Sequence, residues 1–78
     1  MPTVKPATLK EAEALWPPEK MEVVYWACQV LAESCALAWM QTPQRALGER
    51  IPLDLCRTAK GRKQVRDVLG AIAEGGYL

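Results

Sequence analysis

Apolar residues recur at steps of three and four along two stretches of the chain, and nowhere do apolar and polar residues alternate. The first stretch carries this spacing at Met21, Val24, Cys28, Leu31 and Cys35. The second carries it at Gly61, Val65, Val68, Leu69 and Ile72. Such steps predict helices, and the missing alternation disfavours strands. We therefore expect an all-α fold, a small bundle of three to five helices with a long first helix and an amphipathic C-terminal helix.

The first stretch has a clear start and a less clear interruption. Pro18 suits the first position of a helix, and Glu19 suits the positive end of the helix dipole. A break at Glu33–Ser34, with Ser34 capping a second short helix, explains the pattern about as well as one bent helix does.

Prolines and a glycine divide the middle of the chain. Thr42 and Pro43 either end the helix before them or restart it, or Thr42 caps a single turn from Pro43 to Leu47, which Gly48 then closes. Pro52 opens a further helical turn that carries Leu53, Leu55 and Cys56.

The last helix is predicted from about Ala59 to Glu74, capped by Thr58 and ended by Gly75 and Gly76. Gly61 lies on its buried stripe, so we expect it to permit close approach of a neighbouring segment.

The N-terminal residues differ in composition from the rest. Residues 1–17 contain three prolines and a weakly helical patch, Leu9–Leu15. We expect a flexible arm or a linker, with Leu15 and Trp16 able to dock onto the body. The helical domain itself is predicted over residues 18–78.

Composition narrows the class of protein. In a chain of 78 residues, half are hydrophobic, which favours association with another chain. The net charge of +1 gives no global attraction to nucleic acid or membrane, and histidine, the commonest general base, is missing. No pair of carboxylates, nucleophile with a base, or glycine-rich phosphate loop is present, so we expect no enzyme, cofactor or metal site.

The cysteines, the N-terminal residues and the apolar stretch from Met21 to Met40 indicate in which compartment the chain is expected. Cys28, Cys35 and Cys56 are an odd set without metal-binding spacing, so we expect small apolar core residues in a reducing cytoplasm. No signal peptide opens the chain, and polar residues interrupt the apolar stretch from Met21 to Met40 too often for a membrane span.

Two surface features are candidates for contacts. Trp26, beside Tyr25, falls on a stripe of otherwise polar positions, where an indole is either covered by another chain or lies flat on its own surface. A basic cluster surrounds the start of the last helix: Arg57, Lys60, Arg62, Lys63 and Arg66. It forms either a solvated face or a contact for an acidic or phosphate-bearing partner, and a nucleic-acid-binding regulator is the alternative function that would use it.

The order of these elements resembles a known family, the toxin-binding domain of the Xre/MbcA/ParS antitoxins. The similarity covers roughly residues 20–78. Its motif residues here are Ala36, Trp39, Met40, Pro43, Leu47, Pro52, Asp54, Leu55, Gly61, Val65, Leu69, Glu74, Gly75 and Tyr77.

The resemblance implies an antitoxin of a type II toxin–antitoxin system whose partner is a RES-domain toxin. Such toxins attack NAD or use it for ADP-ribosylation, and the antitoxin blocks their cleft with its last helix and tail. Carried over to this chain, the plug would be Glu74, Gly75, Gly76, Tyr77 and Leu78; from the residues alone, the tail either frays or fills a cleft. A toxin contact at Lys60 and Lys63 is our own hypothesis.

The family's full-length members usually carry an N-terminal helix-turn-helix, for which the residues before the shared domain are too few. This sequence is therefore expected either to lack DNA-binding autoregulation or to be a fragment. A homodimeric scaffold that associates through the Trp26 face is a further alternative function, and such a homodimer is also compatible with toxin binding.

Overall fold

Within residues 5–75, which the computed structural model describes, the backbone forms five α-helices and no strand. Their bounds are α1 Leu9–Leu15, α2 Pro18–Val30, α3 Glu33–Met40, α4 Pro52–Leu55 and α5 Ala59–Ala73, with a 3-10 turn at Arg45–Leu47. The predicted all-α fold is confirmed. In this part of the chain, none of the helices has both the length and the apolar character needed to cross a bilayer.

The core lies where α2 meets α3 and α5. Val23, Val24 and Ala27 of α2 are fully buried, as are Val65 and Leu69 of α5. Each buried aliphatic side chain of this size contributes roughly 1.5–3 kcal/mol to folding. The two long helices therefore hold the molecule together, and the shorter elements cover its remaining sides.

The start of α2 is as predicted, but its end is not. Pro18 occupies the first turn, after Pro17 in extended conformation. The chain leaves the helix at Leu31, and α3 begins at Glu33 after Ala32, which makes no side-chain cap. The predicted cap at Ser34 is therefore wrong: Ser34 is already inside α3, and the extended backbone at Leu31 and Ala32 makes the break instead.

The segment between α3 and α4 folds back on itself. Gln44 donates its backbone N–H to the Arg50 carbonyl at 3.0 Å, which closes a short loop. Gly48 adopts a left-handed φ of 70°, so the predicted closure by a glycine is confirmed. Of the roles left open for Thr42, the structure shows the end of α3, because its hydroxyl donates to the Ala38 carbonyl at 2.7 Å, and the cap of a turn from Pro43 is wrong.

The start of α5 follows the prediction closely. The Thr58 hydroxyl accepts the Gly61 N–H at 3.0 Å. A Cβ at Gly61 would lie 1.7 Å from the Leu55 carbonyl oxygen, so only glycine fits there. The predicted close approach is confirmed, and it brings α4 directly against the first turn of α5.

The helix α1 packs on the body. Thr8 caps α1 by accepting the Glu11 N–H at 3.3 Å, and Ala12 is fully buried. The Leu9 N–H donates to a Glu33 carboxylate oxygen at 3.4 Å, which connects α1 to α3. The mobility proposed for residues 1–17 stays a prediction.

The cysteines differ from one another in burial. All three thiols are free; Cys56 is buried, Cys28 is half-buried and Cys35 is exposed. The prediction of three core cysteines is therefore wrong for Cys35, because the break before α3 turns that position outward. Burial raises the pKa of Cys56 to about 11 despite nearby cations. Burial, with the Glu33 carboxylate, also raises the pKa of Cys28.

Candidate functional site

The outer face of α5 is the surface on which the predicted contact residues meet. Lys60, Lys63 and Glu74 are all exposed. At 100° per residue they fall within an arc of about 60° on the side opposite Val65, and they span about 21 Å along the axis. Lys60, Lys63 and Glu74 therefore lie on one continuous face that leads to the C-terminal end of the helix.

Glu74 and Gly75 form the end of α5. Glu74 ends the helix by donating its N–H to the Gly70 carbonyl at 3.1 Å. Gly75 follows with a left-handed φ of 77°, and its N–H bonds to the Ile72 carbonyl at 3.0 Å. Both residues are exposed. The other three residues of the predicted plug, Gly76, Tyr77 and Leu78, lie outside the described residues.

The basic cluster is not a single face. Arg62 turns inward and donates to the Cys56 carbonyl at 3.0 Å, while Arg66 reaches Glu22 of α2 at 3.2 Å. Lys63 pairs with Asp67 one turn later, at 3.5 Å. Because these contacts point in different directions, the cluster does not offer a nucleic acid one uniform cationic surface.

A groove of about 660 Å³ separates the start of α5 from the loop before α4. Leu47, Leu55 and Gly61 lie along it, and Lys60 and Arg50 supply positive charge. The groove adjoins the outer face of α5 at Lys60. Arg50 was missed from the sequence because only the Gln44–Arg50 bridge brings it near α5.

Most of the motif residues build the scaffold rather than the surface. Pro52, Val65 and Leu69 are fully buried, and Trp39 is half-buried with its carbonyl accepting from the Gln44 side chain at 3.1 Å. Pro43, by contrast, is exposed beside the loop. The ordered motif therefore specifies how the 3-10 turn, α4 and α5 fit together, and so how the outer face of α5 is presented.

The two aromatic residues of α2 are exposed on different sides of the helix. Trp26 is 43% exposed and Tyr25 41%. They are adjacent in sequence and therefore about 100° apart around the axis. The Tyr25 hydroxyl donates to the Glu13 carboxylate of α1, and this hydrogen bond raises the pKa of Tyr25. An interface that includes both Trp26 and Tyr25 stays a prediction.

Comparison with known proteins identifies the domain that carries these features. The family model described as the antitoxin Xre/MbcA/ParS C-terminal toxin-binding domain matches residues 31–75. No curated protein and no solved structure matches the chain. The match runs from the end of α2 to Gly75, and so includes the whole outer face of α5. The chain belongs to the family of the antitoxin Xre/MbcA/ParS C-terminal toxin-binding domain.

Proposed function

We propose that this antitoxin domain neutralises a RES-domain toxin by covering the toxin's NAD-binding cleft with the outer face of α5 and the tail that follows it. Membership of a toxin-binding family supports the antitoxin role. The observation that carries the mechanism is the exposed end of α5. Glu74 lies there on the same side as Lys60 and Lys63, and the exposed Gly75 follows it directly before the tail.

Steric occlusion requires only a rigid support and a short protruding segment. The support is α5, whose inner side is fixed in the core through Val65 and Leu69. An exposed residue held at the end of such a helix, such as Glu74, has fewer conformations to lose on binding, which favours affinity. Lys60 and Lys63 would pair with acidic groups of the toxin around the cleft and orient the two proteins.

The proposal is tested by co-expressing the chain with a RES-domain toxin, purifying the complex through a tag on the toxin, and measuring cellular NAD. The full chain is expected to copurify and to keep NAD at its resting level. A chain that ends at Gly75 is expected to lose protection, because the residues that enter the cleft are missing.

The truncated chain must be shown to fold. Its thermal unfolding is expected to match that of the full chain within a few degrees, because the helix is already ended at Glu74 and Gly75. Full protection by the folded truncated chain would contradict occlusion by the tail. Failure of the full chain to bind the toxin at all would instead contradict the choice of partner.

A further inference from the structure

Exposed apolar side chains and negative charge coincide in the first half of the molecule. The large hydrophobic residues exposed among residues 5–75 are Leu15, Tyr25 and Trp26, all before α3. Residues 5–35 contain five glutamates and three lysines, a net charge of −2, whereas residues 36–75 contain seven cations and four carboxylates, a net charge of +3. Apolar exposure within a region of one charge sign is typical of an interaction surface.

The exposed Tyr25 borders a groove of about 450 Å³ between α1 and α2. The residues that line it are Glu13, Trp16, Pro18, Met21, Glu22 and Tyr25. Four of the six are apolar or aromatic, two are carboxylates, and none of these lining residues is cationic. The groove therefore combines an apolar wall with negative charge, which Arg66 offsets in part at Glu22.

Contacts across this groove hold its sides in place. The hydrogen bond from the Tyr25 hydroxyl to Glu13 joins α2 to α1 along one side. Glu22 is held by Arg66 of α5 at 3.2 Å. Met21 is buried in the core and leaves only part of its side chain at the surface. The groove is thus supported by three helices and is available without rearrangement.

We propose that this groove binds a cationic segment of a partner protein in which lysine or arginine alternates with apolar residues. The carboxylates of Glu13 and Glu22 attract the cationic heads, and the rings of Trp16 and Tyr25 attract them through their negatively polarised faces. Apolar side chains and the methylene stems of the cations pack against Trp16 and Met21.

A second copy of this chain is a poorer occupant. Among the described residues no cation lines the groove, so a contact between the groove and the cationic half of a second copy would be head-to-tail and would build rings or open chains of copies instead of a two-fold dimer. The groove also lies before residue 31, where the toxin-binding family match begins. The proposal is therefore independent of the proposed toxin complex.

The experiment measures fluorescence anisotropy of the fluorescein-labelled peptide LRLKLRL titrated with the full chain, with LELELEL as the peptide of opposite charge. The basic peptide is expected to bind and the acidic one is not. Glu13→Gln with Glu22→Gln is expected to weaken binding by about fivefold or more. The matched control, Asp54→Asn with Asp67→Asn, changes net charge equally outside the groove and is expected to leave affinity within about twofold.

A further variant tests the apolar wall. Tyr25→Ala is expected to weaken binding while thermal unfolding shows a folded domain, because Tyr25 is exposed. Equal binding of the two peptides, or equal weakening by the two double variants, would overturn the proposal. So would concentration-dependent self-association in sedimentation velocity that Tyr25→Ala abolishes, since a second copy would then be the occupant.

Discussion

Gly61 is a residue of the family motif, and its backbone is in direct contact with the end of α4. Its missing side chain lets the Leu55 carbonyl approach the first turn of α5, and its N–H bonds to Thr58. A carbonyl oxygen belongs to the backbone and cannot move aside as a flexible side chain does. The position therefore fixes the angle at which α4 meets α5.

The first prediction follows from this contact. Gly61→Ala is expected to lower the free energy of unfolding by about 3 kcal/mol, because the new methyl group displaces α4. Gly70→Ala is the matched control in the same helix, since a Cβ there meets nothing within 4 Å. It is expected to raise stability by roughly 0.5–1 kcal/mol through helix propensity. Urea unfolding measures both, and equal effects would contradict the steric explanation.

Cys56 gives a prediction about pH. Burial raises the pKa of its thiol to about 11 in the folded state, from 9.0 in the absence of the fold. The folded state therefore holds the proton more tightly, and this contribution to stability is complete below about pH 9 and is lost as the pH rises towards 11.

The measurement is urea unfolding of the chain and of Cys56→Ala between pH 8 and pH 11. Above pH 9, the free energy of unfolding of the unsubstituted chain is expected to fall more steeply with pH than that of Cys56→Ala. The variant is expected to be the less stable of the two at pH 8. If the free energy of unfolding falls with pH equally in both proteins, the pKa of Cys56 is the same in the folded and unfolded states.

At the scale of elements, the start of α5 depends on a local cap and the start of α3 does not. The Thr58 hydroxyl satisfies the Gly61 N–H, whereas Ala32 before α3 has no side-chain cap. Thr58→Ala is expected to lower stability by about 1 kcal/mol. Ser34→Ala, inside α3, is expected to change stability by less than about 0.5 kcal/mol. Thermal unfolding of the two variants measures both effects. A larger loss of stability in Ser34→Ala than in Thr58→Ala would indicate that Ser34 caps α3 after all.

How much of the fold could be predicted from the sequence depends on how far apart along the chain the interacting residues lie. The Thr58 cap, the Pro52 turn and the left-handed Gly48 depend on residues a few positions apart, and all three are confirmed. The helix break was placed two residues late because nothing in the local pattern marks Leu31 and Ala32 as extended.

Long-range features could not be predicted in the same way. The burial of Ala12 and the groove between α1 and α2 arise when residues distant in sequence pack together. The placing of Lys60, Lys63 and Glu74 on one side of α5 was not predicted, although helical periodicity alone decides it. The position of Arg50 beside the same helix required the fold.

For the whole molecule, the outer face of α5 is expected to contribute to toxin binding through charge. Lys60→Ala with Lys63→Ala is expected to weaken the complex by about fivefold to tenfold, mainly through slower association. Lys5→Ala with Lys10→Ala is the matched control, because both are exposed and precede the family match. Surface plasmon resonance with the RES-domain toxin measures both, and equal weakening would indicate a general effect of net charge.

The second whole-molecule prediction concerns Trp26. If its exposed indole is covered by a second copy, Trp26→Asp is expected to convert a dimer to a monomer in sedimentation velocity without unfolding it. A monomer before and after the substitution would indicate that the indole is free or contacts a different protein.

The pairing of α2 with α5 also has a consequence for synthesis on the ribosome. Val23, Val24 and Ala27 are made about 40 residues before Val65 and Leu69, which cover them on one side. This part of the core therefore stays open until α5 has left the exit tunnel. An antitoxin built this way exposes its core as a nascent chain, within reach of proteases and chaperones, until α5 packs against α2.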